Sequence, residues 1–385
     1  MQIAHVASHV LKLSAPHSYL GDTVAGAVPE GYAVRAPWRS LYSNRYETVL
    51  VEVTAEDGTT GWGEALAPVG PEVVSAVVDT LLGPQLVGRS LRGPREAWYF
   101  LRELMRERGH LGGHQADALA AIDIALWDLH SRWLGVPAAC LAGGPVRDEV
   151  PLYLSGLPRP TRAGRSELAR ASHAAGTRRL KLHLGHGVGA DLEVVDSLLE
   201  LNLDLQIAVD AHWAYTLPDA VRLAQELTAR GCWFLEAPLP PEDLVGHRKL
   251  TEQSGIMIAA GEAMRHRYEA EPWLSSRAIG LFQPDVARTG LTESLAMADL
   301  AATHHIPVAP HHSVCSPVAY FAGIQLARLV PDLLALEYQP YPLDATASVI
   351  GGPVPGTMES VRVPEVPGLG FTVDVDRVRE LCVSC

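Results

Sequence analysis

The sequence predicts an α/β protein: a closed parallel β/α barrel preceded by a smaller domain of strands and helices. Three observations predict it. The chain has 385 residues, more than one typical domain. From residue 150 onward, short apolar strands recur with amphipathic segments between them, whereas the first 130 residues lack that rhythm. Composition supplies ample core material, with 48% hydrophobic and 19% charged residues.

The first part opens as a meander. Residues 47–64, ETVLVEVTAEDGTTGWGE, alternate apolar and polar positions around the turn pair Asp57-Gly58, which predicts a hairpin. Residues 116–133 carry apolar side chains at helical spacing, and Gly135 suits the helix C-terminus. Residues 15–45 show no clear periodicity and read either as a lid over a site or as an ordinary connection. The barrel strands read VPLYLSG, RRLKLHLG, LQIAVDAH, CWFLEAPL, IMIAAGEA, AIGLFQPD, HIPVAPHH and LLALEYQP, eight in all. A doubly wound open sheet is the alternative, but no GxGxxG opens a helix, so a dinucleotide site has no support. The glycine- and proline-rich residues 344–385 are expected to pack back on the first domain. The expected division is therefore 1–130, 131–343 and the tail.

Charge and cysteines bound the partners. The net charge of −13, without a Lys/Arg cluster, argues against nucleic acid. Five scattered cysteines give no disulfide framework, and the terminal Cys382-x-x-Cys385 reads as a tail. With no leader and no membrane-length apolar run, a cytoplasmic protein without a membrane partner is expected.

In parallel barrels the working side chains project from the C-terminal strand ends. Those ends carry Lys181 and His183, Asp210 and His212, Glu236, Glu262, Asp285, His311 and Glu337. Solvated strand ends explain one or two ionisable residues, not seven strands of them. Asp210, Glu236 and Glu262 follow one another at 26-residue intervals, one strand–helix unit each. Three carboxylates converging there make an all-oxygen site that selects Mg²⁺, or Mn²⁺, over zinc. Lys181 and His183 are two apart on a strand and face the same way, and Asp210 with His212 repeats the spacing. A lysine beside a dication loses proton affinity and can serve as a base; an electrostatic partner of Asp210 or of a substrate carboxylate is its competing role. Asp285 and His311 lie on consecutive strands and suit a dyad in which the carboxylate fixes the imidazole tautomer. His312 is the alternative base, since adjacent residues on a strand point opposite ways. A protonated Glu337 could donate a hydrogen bond to a substrate oxygen; a surface Glu is its competing reading.

These residues sit in motifs that resemble the enolase superfamily, within its mandelate racemase/muconate-lactonizing branch. The motifs are GWGEA (61–65), AAIDIALWDLHSRWLGVPAACLAGG (120–144), KLH (181–183), VDAHW (209–213), LEAPLPPED (235–243), AAGEAM (259–264), QPD (283–285), APHH (309–312) and PGLG (367–370). The resemblance implies an α+β N-terminal capping domain over a modified TIM barrel, (β/α)7β, and a homo-oligomer. It implies Asp210, Glu236 and Glu262 as Mg²⁺ ligands, Asp285–His311 as base dyad and Glu337 as the acid beside the enolate. Two departures refine the expectation. Lys181-Leu182-His183 replaces the Lys-x-Lys of the racemases, and Asp210-Ala211-His212 is similar to the galactonate and mannonate/gluconate dehydratases, where the His acts as an acid. The expected chemistry is dehydration of a sugar acid carboxylate to a 2-keto-3-deoxy acid. His311 would be the base, His212 the leaving-group acid, and Lys181 an alternative acid or base. A racemase or epimerase using Lys181 and His311 is the alternative, and a non-catalytic sugar-acid binder a further one. Selectivity is expected from His183 and from Arg35, Trp38, Arg39 and Tyr42.

Overall fold

A computed structural model of the chain describes residues 1–14, 31–34 and 38–383. Arg35, much of the 15–45 segment and Cys385 lie outside the described residues.

The N-terminal sheet is antiparallel, with β1 (Ile3–Ser14), β2 (Arg45–Ala55) and β3 (Thr60–Ala65) in that order. The predicted turn joins β2 to β3, with Gly58 at a φ of 86°. Helix α1 (Gly113–Leu134) packs on β3 at a distance that only glycine permits. A Cβ on Gly61 would lie 2.3 Å from the carbonyl of Ala125, and one on Gly63 would lie 2.0 Å from that of Ala121. The GWG motif is thus a close-approach device, and α1 ends as predicted on left-handed Gly135.

Helix α1 is buried on all sides from Ala116 to Ser131. One face meets the sheet and the other meets the barrel helix α2 (Val286–Thr303). Each fully buried Leu, Ile or Trp in such a seam contributes roughly 2 kcal/mol. Helix α2 breaks at Gly290, whose φ is 73° and whose position leaves room for Asp123 of α1.

The barrel strands are β4 (Val150–Ser155), β5 (Arg179–His183), β6 (Gln206–Asp210), β7 (Phe234–Glu236), β8 (Met257–Ala260), β9 (Leu281–Phe282) and β10 (Leu336–Tyr338). They pair in parallel in the order β9-β8-β7-β6-β5-β4-β10. The predicted strand HIPVAPHH is held by single bridges instead, with Val308 joined to both Phe282 and Leu333. Pro307 and Pro310 explain the difference, because they cannot donate to a ladder. This segment nevertheless fills the gap between β9 and β10. Tyr153, Ala208, Phe234, Ala259, Leu281 and Ala309 fill the barrel interior.

The C-terminal residues touch both halves. Val361 pairs with Val150 of β4, and Cys382 bridges Leu11 of β1. Cys140, Cys232 and Cys315 are free thiols, whereas Cys382 is disulfide-bonded. Among the described residues no helix is long and apolar enough to cross a membrane.

Candidate active site

A cavity of about 230 Å³ opens at the C-terminal ends of the barrel strands, between them and the N-terminal domain. Its floor carries Lys181, His183, Asp210, His212, Glu262 and His311. Glu236, Asp285 and Glu337 lie beneath that floor, 1% exposed or less.

Strand geometry delivers most of these side chains. On β5, Lys181 points into the barrel while Leu180, Leu182 and Leu184 pack toward the helices, as alternation requires. Asp210 is register partner of both His183 and Glu236, so those three ends lie side by side. His212 arrives differently from the expectation. It lies past the strand in a left-handed turn at a φ of 48°, its backbone N–H donating to Asp210 Oδ1 at 3.0 Å. Asp285 caps α2 by accepting from the Ala287 N–H on Oδ1 at 2.8 Å, which leaves Oδ2 for His311 Nδ1 at 2.6 Å.

The two histidines separate cleanly. His311 faces the cavity, with Nε2 2.8 Å from Glu262 and 3.8 Å from Glu337. His312 turns its ring against Tyr320, 5.4 Å between centroids, and is absent from the cavity lining.

Charges are paired tightly. Lys181 Nζ lies 2.9 Å from both oxygens of Glu236, 2.7 Å from Glu337 and 3.8 Å from Asp210. Burial opposes its charge, but Glu236 and Glu337 raise its pKa well above the ordinary lysine value. The lowered lysine pKa expected from the sequence concerns a lysine beside a bound dication, a different charge balance from this one. Burial likewise opposes the charge of Glu337, yet Lys181 and His311 hold it down at about 2. In this arrangement Glu337 is an ionised acceptor paired with Lys181. Burial pushes Glu236 up to about 7, helped by Asp210 and Glu337 and offset by Lys181. His311 is raised well above an ordinary imidazole against its own burial, by Glu337, Glu262 and Asp285. His183 is pushed down to about 3 by burial.

The predicted carboxylate trio occupies adjacent strand ends, but each member is taken by a different cation: Asp210 by His212, Glu236 by Lys181 and Glu262 by His311. Among the described residues, the ligand atoms lying within 4.8 Å of one another are those of Glu236, His311 and Glu337. The local donor chemistry still suits a hard dication. Five carboxylates (Asp210, Glu236, Glu262, Asp285 and Glu337) share a buried volume with one lysine and three histidines.

Of the predicted substrate contacts, Tyr42 and His183 line the cavity. Trp38 is 3% exposed and stands behind the cavity, donating from Nε1 to the Leu184 carbonyl at 2.9 Å with its ring 5.0 Å from that of His212. Arg39 is exposed and outside the lining. Sequence reasoning missed Ser155, Gln283, Arg45 and Arg288. Ser155 Oγ lies 3.0 Å from His183 Nε2, and Gln283 donates to Glu236 at 2.7 Å. Arg45 and Arg288 line the cavity wall. Only Gln283 and Arg288 carried a signal, through their place in and just after the QPD motif.

Comparison with known proteins agrees with this geometry. Residues 165–378 match the "Enolase C-terminal domain-like" family, and residues 34–143 match "Mandelate racemase / muconate lactonizing enzyme, N-terminal domain". The chain belongs to the enolase superfamily. This enolase-superfamily chain is 30% identical to D-galactarolactone cycloisomerase of Agrobacterium fabrum, over 89% of this chain and 93% of the relative. It is 31% identical to D-xylonate dehydratase of Haloferax volcanii, over 88% and 86%. A solved enolase-superfamily structure from Agrobacterium tumefaciens is 32% identical and superposes with a TM-score of 0.92, covering 98% of each chain. A racemase from Streptomyces coelicolor, solved with bound magnesium, is 25% identical with a TM-score of 0.84, covering 99% of this chain and 100% of that one.

Proposed function

We propose that this enzyme is a Mg²⁺-dependent hydro-lyase that removes the proton next to the carboxylate of a sugar acid and expels the 3-hydroxyl. The observation that carries the reading is the Asp285–His311 pair at 2.6 Å, facing a cavity floored by the acids of adjacent strand ends.

Asp210, Glu236 and Glu262 would hold the ion, once the cations now paired with them give way. Mg²⁺ there supplies Lewis-acid stabilisation of the negative charge that develops on the substrate carboxylate. Asp285 accepts from Nδ1 of His311 and so directs the lone pair of Nε2 toward the cavity. His311 takes the C2 proton through Nε2. Lys181 places its ammonium beside the developing anion, and His212, raised above the ordinary histidine value against burial by Asp210, protonates the departing hydroxyl. The resulting enol tautomerises to a 2-keto-3-deoxy acid. In this reading residues 1–130 serve as the cap, 131–343 as the catalytic barrel, and 344–385 tie the two together.

A second reading shares the first step. The likeness to D-galactarolactone cycloisomerase favours an isomerisation that begins with the same proton abstraction. One experiment separates them: a screen of aldonates, aldarates and their lactones with Mg²⁺, read by mass and by 2-keto detection, with His311→Asn as control. Loss of one water with a new 2-keto group supports the hydro-lyase; an isobaric product supports the isomerase. Unchanged turnover in His311→Asn overturns the base assignment in both.

A further inference from the structure

The cavity has two ends of opposite chemistry. Its floor is acidic, and there every cation is matched to a carboxylate: Lys181 to Glu236 and Glu337, His212 to Asp210, His311 to Asp285 and Glu262. The wall is built by residues 40–45 of the N-terminal domain and by the first turn of α2. It carries two guanidinium groups, Arg45 and Arg288. Neither makes a salt bridge or a side-chain hydrogen bond among the described residues, and the Nε of Arg288 is buried without a partner. The buried, unpartnered Nε of Arg288 is costly unless a ligand supplies the anion, whereas Arg45 is exposed and adds a second charge at the rim; the planar fork of either matches a carboxylate with two parallel hydrogen bonds. The two come from different halves of the fold and converge on one cavity.

We propose that Arg288 and Arg45 form a subsite for a second carboxylate, so that the substrate is a sugar diacid rather than a monoacid. The reacting carboxylate sits at the floor and the distal one at the wall. This specificity rests on the proton-abstraction reading above for its kinetic consequence, but not for binding.

The test has two arms. In the first, kcat and KM are measured for an aldarate and the aldonate of matched stereochemistry. The diacid is expected to be favoured about tenfold or more in kcat/KM, the scale of one charge-assisted contact. Arg288→Met and Arg45→Met should each raise KM for the diacid about tenfold while moving the monoacid little. In the second, adipate and hexanoate, which cannot react, are titrated calorimetrically into the Mg²⁺-loaded protein. Tighter adipate binding that Arg288→Met abolishes supports the subsite even if no sugar acid is turned over, an outcome that would instead sink the hydro-lyase reading. Arg45→Met, at an exposed position, and Arg288→Lys keep the test open if Arg288→Met does not fold. Equal binding of the two acids overturns the proposal. So does an Arg288→Met effect equal for both, which would make Arg288 a counter-charge for Glu262. Preference for a phosphorylated aldonate over the diacid overturns the choice of carboxylate.

Discussion

Two regions of this molecule bury carboxylates, and they differ in how far backbone N–H groups share in satisfying them. At the seam between the N-terminal domain and the barrel, Glu64 accepts from the backbone N–H groups of Ser316 at 2.6 Å and Ala319 at 2.8 Å, and from the hydroxyls of Ser316 and Thr48 at 2.7 Å each. The Ser316 and Ala319 donors sit at the N-terminus of the helix Pro317–Leu329. Asp123 accepts from the N–H of Thr292 at 2.8 Å, and Asp128 accepts from those of Trp62 and Leu369 as well as from Nε of Arg132 at 2.8 Å. At the barrel mouth the partners are the side chains of Lys181, His212 and His311. Backbone donors are fixed by the fold and cannot be exchanged. Side-chain cations can swing away when a metal or substrate arrives. Buried acid alone does not mark an active site; what holds the acid does.

The comparison can be broken most severely at the mouth. His311→Asn should lower kcat by roughly 10³-fold, within the range of a lost general base, while thermal melting moves by only a few degrees. His312→Asn, which removes a ring packed on Tyr320, should cost under about tenfold; a larger loss than that of His311→Asn would reverse the assignment. At the seam the effect should be on folding. Glu64→Ala leaves several donors unsatisfied and should cost about 3 kcal/mol in urea unfolding. Next in size is the response to Mg²⁺. The mouth should gain about 2.7 kcal/mol of stability at a hundredfold excess over Kd, and Asp210→Asn should remove that gain with the seam intact. A thermal shift in Asp210→Asn equal to that of the natural protein would remove Asp210 from the ion site.

The smallest effect is one of sign with pH. Burial raises Glu64 and Asp123 to about 7 despite their donors, so the folded state holds their protons more tightly than the unfolded one. Their contribution is complete below the ordinary carboxylate range, near pH 4, and is lost as pH rises toward 7, at roughly 1 kcal/mol per unit for each group. Glu337, held at about 2, behaves oppositely: its contribution is present above the ordinary carboxylate value and is lost as pH falls toward 2. Glu64→Gln should flatten the stability slope between pH 4.5 and 7 and leave the acid limb unchanged, which equilibrium unfolding across pH will show.

Much of this was legible in the sequence, for a physical reason. A parallel barrel aligns its strand ends, so reading one position per strand–helix unit found Lys181, Asp210, Glu236, Asp285, His311 and Glu337 in chain order. The Asp285–His311 contact and the outward turn of His312 follow from strand alternation carried across two neighbours. What periodicity cannot show is who pairs with whom. Lys181 meets three acids from three strands, and that convergence leaves no spacing signature. The seam acids were invisible for a related cause. On a helical wheel Asp117 and Asp123 look like solvated positions, because their partners, Arg265 and Thr292, are far away in the chain, and Asp128 looks like half of a surface pair with Arg132 because its donor Leu369 is equally distant. The seventh predicted strand is broken because Pro307 and Pro310 outweigh its apolar content. Arg45 escaped notice since nothing local distinguishes a guanidinium that faces a cavity from one that faces water.

Asp285 divides its two oxygens between two tasks, one ending a helix and one steering an imidazole. An amide in its place has a single oxygen to offer. Asp285→Asn would have to choose, either fraying the first turn of α2, where Arg288 sits, or presenting an N–H to His311 and flipping its tautomer. A substitution of one atom would thus couple the shape of the entrance to the protonation of the ring, two properties that selection could otherwise adjust separately.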